Sequence, residues 1–190
     1  MDLLVGRDPE LTTLERLLED ARAGPGRFVV VTGEPGIGKT SLLARLFRRA
    51  EERGALVLQG SAAEFERELP FGLVIDALDA YLESLDPRTF DRLAPEDLAE
   101  LAGVFRTLDP GSGEPSTAAE RFRAHGAVRN LLEGLAAGQP LVLLLDDLHW
   151  ADGASLELVA HLLRRPPRGP ILVAAAFRTG QADRTLEAVI

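Results

Sequence analysis

Apolar positions in this chain follow two rhythms: short runs in which almost every residue is apolar, and longer stretches in which apolar residues recur every three or four positions. The first rhythm occurs at Phe28 to Thr32, Ala55 to Gln59, Leu141 to Leu145 and Ile171 to Ala176. Runs of that kind predict strands covered on both faces, as in a parallel sheet. The second begins at Asp8-Pro9, a helix start with a proline at the first helical position, and continues through Leu11, Leu14, Leu17, Leu18 and Ala21 until Gly24-Pro25-Gly26 stops it. It returns at Leu42, Leu43, Leu46, Phe47 and Ala50, ended by Gly54, and at Leu73, Val74, Ala77, Leu78, Tyr81 and Leu82, broken by Asp86-Pro87. A weaker helix is predicted from Pro95 to Phe105, and a longer one from about Ala118 to Ala137 that presents Phe122, Val128, Leu131, Leu132 and Leu135. Another helix is predicted over Gly153 to Leu163. Asp109 to Thr117 is the most loop-like stretch, with breakers crowded into its first half. Strand, helix and strand following one another within about 30 residues make a βαβ unit, so a parallel sheet with right-handed crossovers is expected. There is no internal repeat.

Composition narrows the classes. The 190 residues are 46% hydrophobic and 27% charged, which fits one globular domain and excludes disordered and collagen-like chains. Cysteine is absent, so no disulfide or thiolate metal site can form, and three scattered histidines argue against zinc. The longest apolar run, Ile171 to Phe177, is far short of the roughly 18 residues of a spanning helix. No leader pattern is read after Met1, and a cytoplasmic chain without membrane partners is expected. The net charge of −9 is spread evenly, 12 basic and 17 acidic residues in the first half against 9 and 13 in the second. An acidic chain with no basic face gains nothing from counterion release, so direct nucleic-acid binding by this segment is disfavoured. Every basic residue except Lys39 is an arginine. That position therefore calls for a compact ammonium.

The neighbours of Lys39 explain the requirement. Gly33-Glu34-Pro35-Gly36-Ile37-Gly38-Lys39-Thr40 fits G-x-x-x-x-G-K-[ST] at every fixed position and lies between a predicted strand and helix. Its glycines allow positive φ and bring backbone N–H groups onto a polyphosphate, and the helix beginning near Lys39 adds its positive end. Lys39 would bridge the β- and γ-phosphates, the Thr40 hydroxyl would ligate Mg²⁺, and Ser41 completes the loop. The third strand ends in Asp146-Asp147. Parallel strands bring their C-termini to one edge, so Asp146 is the candidate Mg²⁺ partner and Asp147 the candidate to polarise the attacking water. Arg178, directly after the fourth strand, is expected near the terminal phosphate. His149 and Trp150 are read as packing residues. Asp152 is read as the N-cap of the helix after it, bonded to the Ser155 backbone N–H.

With these residues in place the chain resembles a P-loop ATPase of the AAA-related STAND class, and within it the ATPase module of large LuxR-type transcriptional regulators. LVGRDPEL, Leu4 to Leu11, resembles that family's N-terminal hhGRxxEL signature, and LLLDDLHWAD, Leu143 to Asp152, is similar to its Walker B segment. The resemblance implies that Val5, Gly6 and Arg7 wall an adenine and that Arg178 is a sensor arginine. It implies a P-loop NTPase three-layer α/β sandwich with strand order 5-1-4-3-2. Family members continue into a fifth strand, a lid, a winged helix, repeats and a DNA-binding helix-turn-helix. The 190 residues are therefore expected to be an N-terminal ATPase core, with Phe28 to Thr32 at the edge the fifth strand would cover and with Leu186, Val189 and Ile190 starting a further helix.

The function this implies is an ATP-binding switch: ATP or ADP with Mg²⁺ held by residues 33–41, slow hydrolysis through Asp147, and the nucleotide state read by other domains of the same protein or through self-association. Two alternatives share the core motifs. One is a stand-alone P-loop kinase or ATPase acting on a small molecule, for which no convergent acceptor set is evident. The other is a clamp-loader or origin-binding AAA relative, for which a basic DNA-contacting face is missing.

Overall fold

The computed structural model describes residues 8–24, 26–109 and 111–179. Helix α1 (Asp8–Ala23) leads into strand β1 (Arg27–Gly33), helix α2 (Lys39–Glu52) and strand β2 (Leu56–Ser61). Helices α3 (Gly72–Glu83), α4 (Pro95–Val104) and α5 (Ala118–Ala136) follow, and then strand β3 (Leu141–Asp146), helix α6 (Gly153–Arg164) and strand β4 (Ile171–Arg178). Among the described residues, 3-10 helix at Glu64–Glu66, Pro87–Arg92 and Leu148–Trp150 breaks the connections, and hydrophobic periodicity gives no sign of it.

All strand pairs are parallel and the sheet order is β1-β4-β3-β2. This matches the expected order over the four strands concerned. Successive side chains point to opposite faces of a strand, and β3 and β4 divide accordingly. Leu141, Leu143, Leu145, Ile171, Val173 and Ala175 pack with α3, α4, α5 and α6. Val142, Leu144, Leu172, Ala174 and Ala176 pack with α1 and α2. The result is three layers with two cores, and both central strands are apolar up to their last residues, Asp146 and Arg178, because neither face meets water before the strand ends. Strand β1 pairs only with β4 among the described residues and is half-buried, as an edge strand should be.

Two expectations need correction. Arg178 is the last residue of β4 rather than the first beyond it, because its backbone pairs in register with Gly33. Phe122 does not face the core but is half exposed; its ring meets His161 edge-on and lies under the Arg165 guanidinium. Helix α5 begins at a capping box the sequence reading passed over, in which the Thr117 hydroxyl accepts from Glu120 N–H and the Glu120 carboxylate accepts from Thr117 N–H. The backbone N–H groups of Thr117 and Ser116, both donating to this carboxylate, hold the Glu120 carboxyl down at about 2. Val5, Gly6, Arg7, Leu186, Val189 and Ile190 lie outside the described residues.

Candidate functional site

Parallel pairing delivers the C-terminal ends of all four strands to one edge, where Gly33 registers with Arg178 and Ser61 with Asp146. The Thr179 N–H donates to the Gly33 carbonyl at 3.2 Å, tying the start of the glycine loop to the end of β4. The site is assembled on this edge.

Between β1 and α2 the chain turns through Gly36 at φ 76° and Gly38 at φ 92°, backbone that L side chains rarely adopt. Nothing lies within 4 Å of where a Cβ would sit on either, so the loop leaves an open cradle. Gly38 is also the N-cap of α2, whose first turn holds no acidic residue to offset its positive end. Lys39, 9% exposed, donates from Nζ to the carbonyls of Gly33 and Glu34, both at 3.0 Å. An ammonium has three donors, so this brace leaves one for an anion. Glu34, Pro35 and Ile37 are exposed on the outside of the loop, and Thr40 and Ser41 are exposed in the first turn of α2.

The Thr40 hydroxyl donates to Asp146 Oδ2 at 2.9 Å, and Asp146 Oδ1 accepts the Asp147 backbone N–H at 2.8 Å. Both oxygens of the 4% exposed Asp146 carboxylate are thus oriented. Asp147 has φ 53°, ψ 39°, a left-handed conformation that aspartate tolerates better than most residues yet still at a cost of about 1–3 kcal/mol. Its Oδ1 lies 3.8 Å from Arg178 Nε and 3.7 Å from His149 Nδ1. The sequence assigns Asp147 to the attacking water and Arg178 to the terminal phosphate; the fold also sets the two side chains against each other.

His149 and Trp150 do pack, but not inertly. The His149 side chain is fully buried and neither ring nitrogen has a hydrogen-bond partner. Burial pushes its pKa down, against an upward pull from Asp147. The Arg67 guanidinium lies 4.5 Å over the Trp150 ring and donates to the His149 carbonyl. Arg67 was missed because the loop after β2 carries no motif; only the fold brings it across 82 residues. Asp152 caps α6 as expected, accepting from the Ser155 N–H at 2.9 Å, and its Oδ1 also accepts from the Phe71 N–H at 2.9 Å. Since Phe71 is the N-cap of α3, one carboxylate fastens two helix starts.

The donors gathered here fit a magnesium–nucleotide. They are hard oxygens on Thr40 and Asp146, a buried ammonium, an open positive-φ cradle and a helix N-terminus. No group of three or more histidines and carboxylates suited to hold a metal without such a ligand occurs among the described residues.

A parallel three-layer α/β sheet with a glycine cradle between its first strand and the following helix is the fold of a P-loop NTPase. A family model described as AAA ATPase domain matches residues 3–174, and the chain belongs to that family. It is 27% identical to an uncharacterized protein of Rhizobium meliloti (strain 1021), over 97% of this chain and 19% of that protein. It is also 27% identical to the hybrid signal transduction histidine kinase G of Dictyostelium discoideum, over 84% of this chain and 5% of the other. The chain thus spans a fifth or less of the length of these curated relatives. Among solved structures, the Aeropyrum pernix ORC2 protein in its ADPNP–ADP complexes aligns with a TM-score of 0.54 at 18% identity, over 92% of this chain and 41% of that one. This likeness is one of fold. An AAA ATPase domain binds and hydrolyses nucleotide, and among the described residues no helix is long and apolar enough to cross a membrane.

Proposed function

We propose that this domain is an ATP-binding, slowly hydrolysing switch whose nucleotide state is read by other parts of a longer cytoplasmic regulatory protein. The observation that carries the reading is the 2.9 Å bond from the Thr40 hydroxyl to Asp146 Oδ2, which joins the phosphate loop to the acidic end of β3 where a metal-bound phosphate would lie. Lys39 and the loop N–H groups would bind the phosphates, and Thr40 with Asp146 would hold Mg²⁺. Bound there, Mg²⁺ would neutralise charge on the phosphate oxygens. Asp147 would accept a hydrogen bond from the attacking water and so orient it, and Arg178 would face the terminal phosphate. Val5, Gly6 and Arg7 would wall the adenine.

Slowness is part of the proposal. Turnover of an unassisted P-loop site is about 10⁻⁴ to 10⁻² s⁻¹, and a switch gains from a long-lived bound state. In both curated relatives the matching segment is a small part of a long chain, and one is described as a signal transduction protein, which supports a module that reports to other domains. The evenly spread negative charge favours readout through protein contacts over direct contact with nucleic acid. Steady-state hydrolysis of MgATP tests the reading. The expected rate lies in the range above, with micromolar or tighter retention of ADP; a rate beyond about 1 s⁻¹ with fast product release would point to a metabolic enzyme instead.

A further inference from the structure

The His149 ring is fully buried, and both of its nitrogens lack a hydrogen-bond partner. Leaving a buried polar group unsatisfied costs about 1–3 kcal/mol, so a residue needed only for packing would be better served by leucine or phenylalanine. An acceptor lies just out of reach. Asp147 Oδ1 is 3.7 Å from His149 Nδ1, beyond hydrogen-bond length, and the same oxygen is 3.8 Å from Arg178 Nε on its other partner. One carboxylate oxygen therefore stands near two donors and is fully bonded by neither.

The Asp147 backbone cannot easily move to choose between them. Its N–H is fixed to Asp146 Oδ1 at 2.8 Å, and its left-handed φ of 53° is held by the turn into Leu148–Trp150. Rotation of the side chain is what remains, and less than 1 Å closes either gap to a normal bond.

Resting on the assignment of Asp147 as the water-orienting group, we propose that His149 is a positioning residue: when Arg178 turns to the nucleotide's terminal phosphate, the Asp147 carboxylate takes the His149 Nδ1–H and is held in its hydrolytic orientation. In this arrangement Arg178 restrains Asp147 until an anion draws the guanidinium away. His149 serves as a neutral donor. Burial disfavours its charged form, as do the cations of Arg178, Lys39 and Arg67 around it, while Asp147 favours it. The Trp150 ring, 5.0 Å from the imidazole and covered by Arg67, keeps the pocket closed behind it.

The test is His149→Leu, read in three ways. ATP affinity should stay within about twofold of wild type, because His149 touches no phosphate-binding group. Thermal stability should be equal or higher, because an orphaned polar group is replaced by an apolar one. Single-turnover hydrolysis should fall about 10- to 100-fold through loss of orientation. His149→Asn, which keeps an N–H donor near the place of Nδ1, should recover most of that loss. In an Asp147→Asn background His149→Leu should add less than about threefold, since the two act through one carboxylate. Unchanged hydrolysis in His149→Leu, or a clear loss of stability in place of a loss of rate, would overturn the proposal. So would an equal rate loss in both backgrounds. Asp147→Asn alone separates the two levels: a wild-type rate there removes the Asp147 assignment and this proposal together, whereas an inactive Asp147→Asn beside a fully active His149→Leu removes only the proposal.

Discussion

Thr40 and Asp146, 106 residues apart in the chain, meet through a 2.9 Å hydrogen bond from hydroxyl to carboxylate. Under the proposed reading both groups share one metal. Thr40→Val should therefore reduce the Mg²⁺-dependent part of ATP binding while leaving the Mg²⁺-free part unaltered, and Thr40→Ser should preserve both. Titrations with and without EDTA check this; equal Mg²⁺ dependence in wild type and Thr40→Val would separate Thr40 from the metal.

The adjacent carboxylates should behave differently. Asp146 has both oxygens engaged, with Thr40 and with the Asp147 N–H, whereas Asp147 lies at the open end beside Arg178. Asp147→Asn should keep ATP binding and lose most turnover. Asp146→Asn should weaken Mg²⁺-dependent binding as well. Paired binding and single-turnover measurements on the two variants decide it, and a wild-type rate in Asp147→Asn would move the water-orienting role to another residue.

Asp152 ties α3 to α6. Its carboxylate accepts from the Phe71 N–H, the Ser155 N–H and the Ser155 hydroxyl, and it is 5% exposed. Asp152→Ala leaves two buried backbone donors without partners and should cost about 2–4 kcal/mol in chemical denaturation. A loss of about 1 kcal/mol would mean that it caps α6 alone.

Acid should destabilise the fold through its buried histidines. His125 and His161 face each other from α5 and α6 with ring centroids 5.8 Å apart, and Phe71 meets His125 edge-on. Burial first, and then His161, push the His125 pKa down to about 4, while Glu157 opposes the shift. His161 is lowered by burial and by Arg165, Arg129 and Arg164. A histidine whose pKa is lower in the folded state binds fewer protons there than in the unfolded chain, so stability rises with pH across the interval between the two values. It is fully present above about pH 6.5 and is lost progressively as pH falls toward 4. His125→Phe should flatten this dependence by about 2 kcal/mol, measured as denaturation midpoints between pH 7 and 4.5. An unchanged slope would assign the acid sensitivity to other groups.

What the sequence revealed was local. The strand positions were legible because β3 and β4 are apolar on both faces, and the phosphate loop because its glycines and Lys39 must occur at fixed spacing. Strand ends at one edge follow from parallel pairing, so the sequence alone places Asp146 and Arg178 beside the loop. The remainder depends on contacts between segments far apart. Arg67 over Trp150, and Phe71 on Asp152, are made by the loop between β2 and α3, which carries no periodicity to read. The 3.7 Å gap at His149 and the left-handed backbone at Asp147 are matters of geometry that residue types do not encode. Phe122 misled because helical spacing assigns a face but not whether a neighbour covers its first turns.

The central claim is that Lys39 and its loop hold a nucleotide's phosphates, and calorimetric titration of wild type and Lys39→Ala with MgATP tests it most directly. The ammonium is braced by the Gly33 and Glu34 carbonyls and nearly buried, so its removal strips a desolvated charge partner from the phosphates. The account predicts saturable binding by wild type, a loss of about 2 to 5 kcal/mol in Lys39→Ala, and no rescue by Lys39→Arg, whose planar guanidinium does not fit where a compact ammonium sits. Equal affinity for wild type and Lys39→Ala would contradict it.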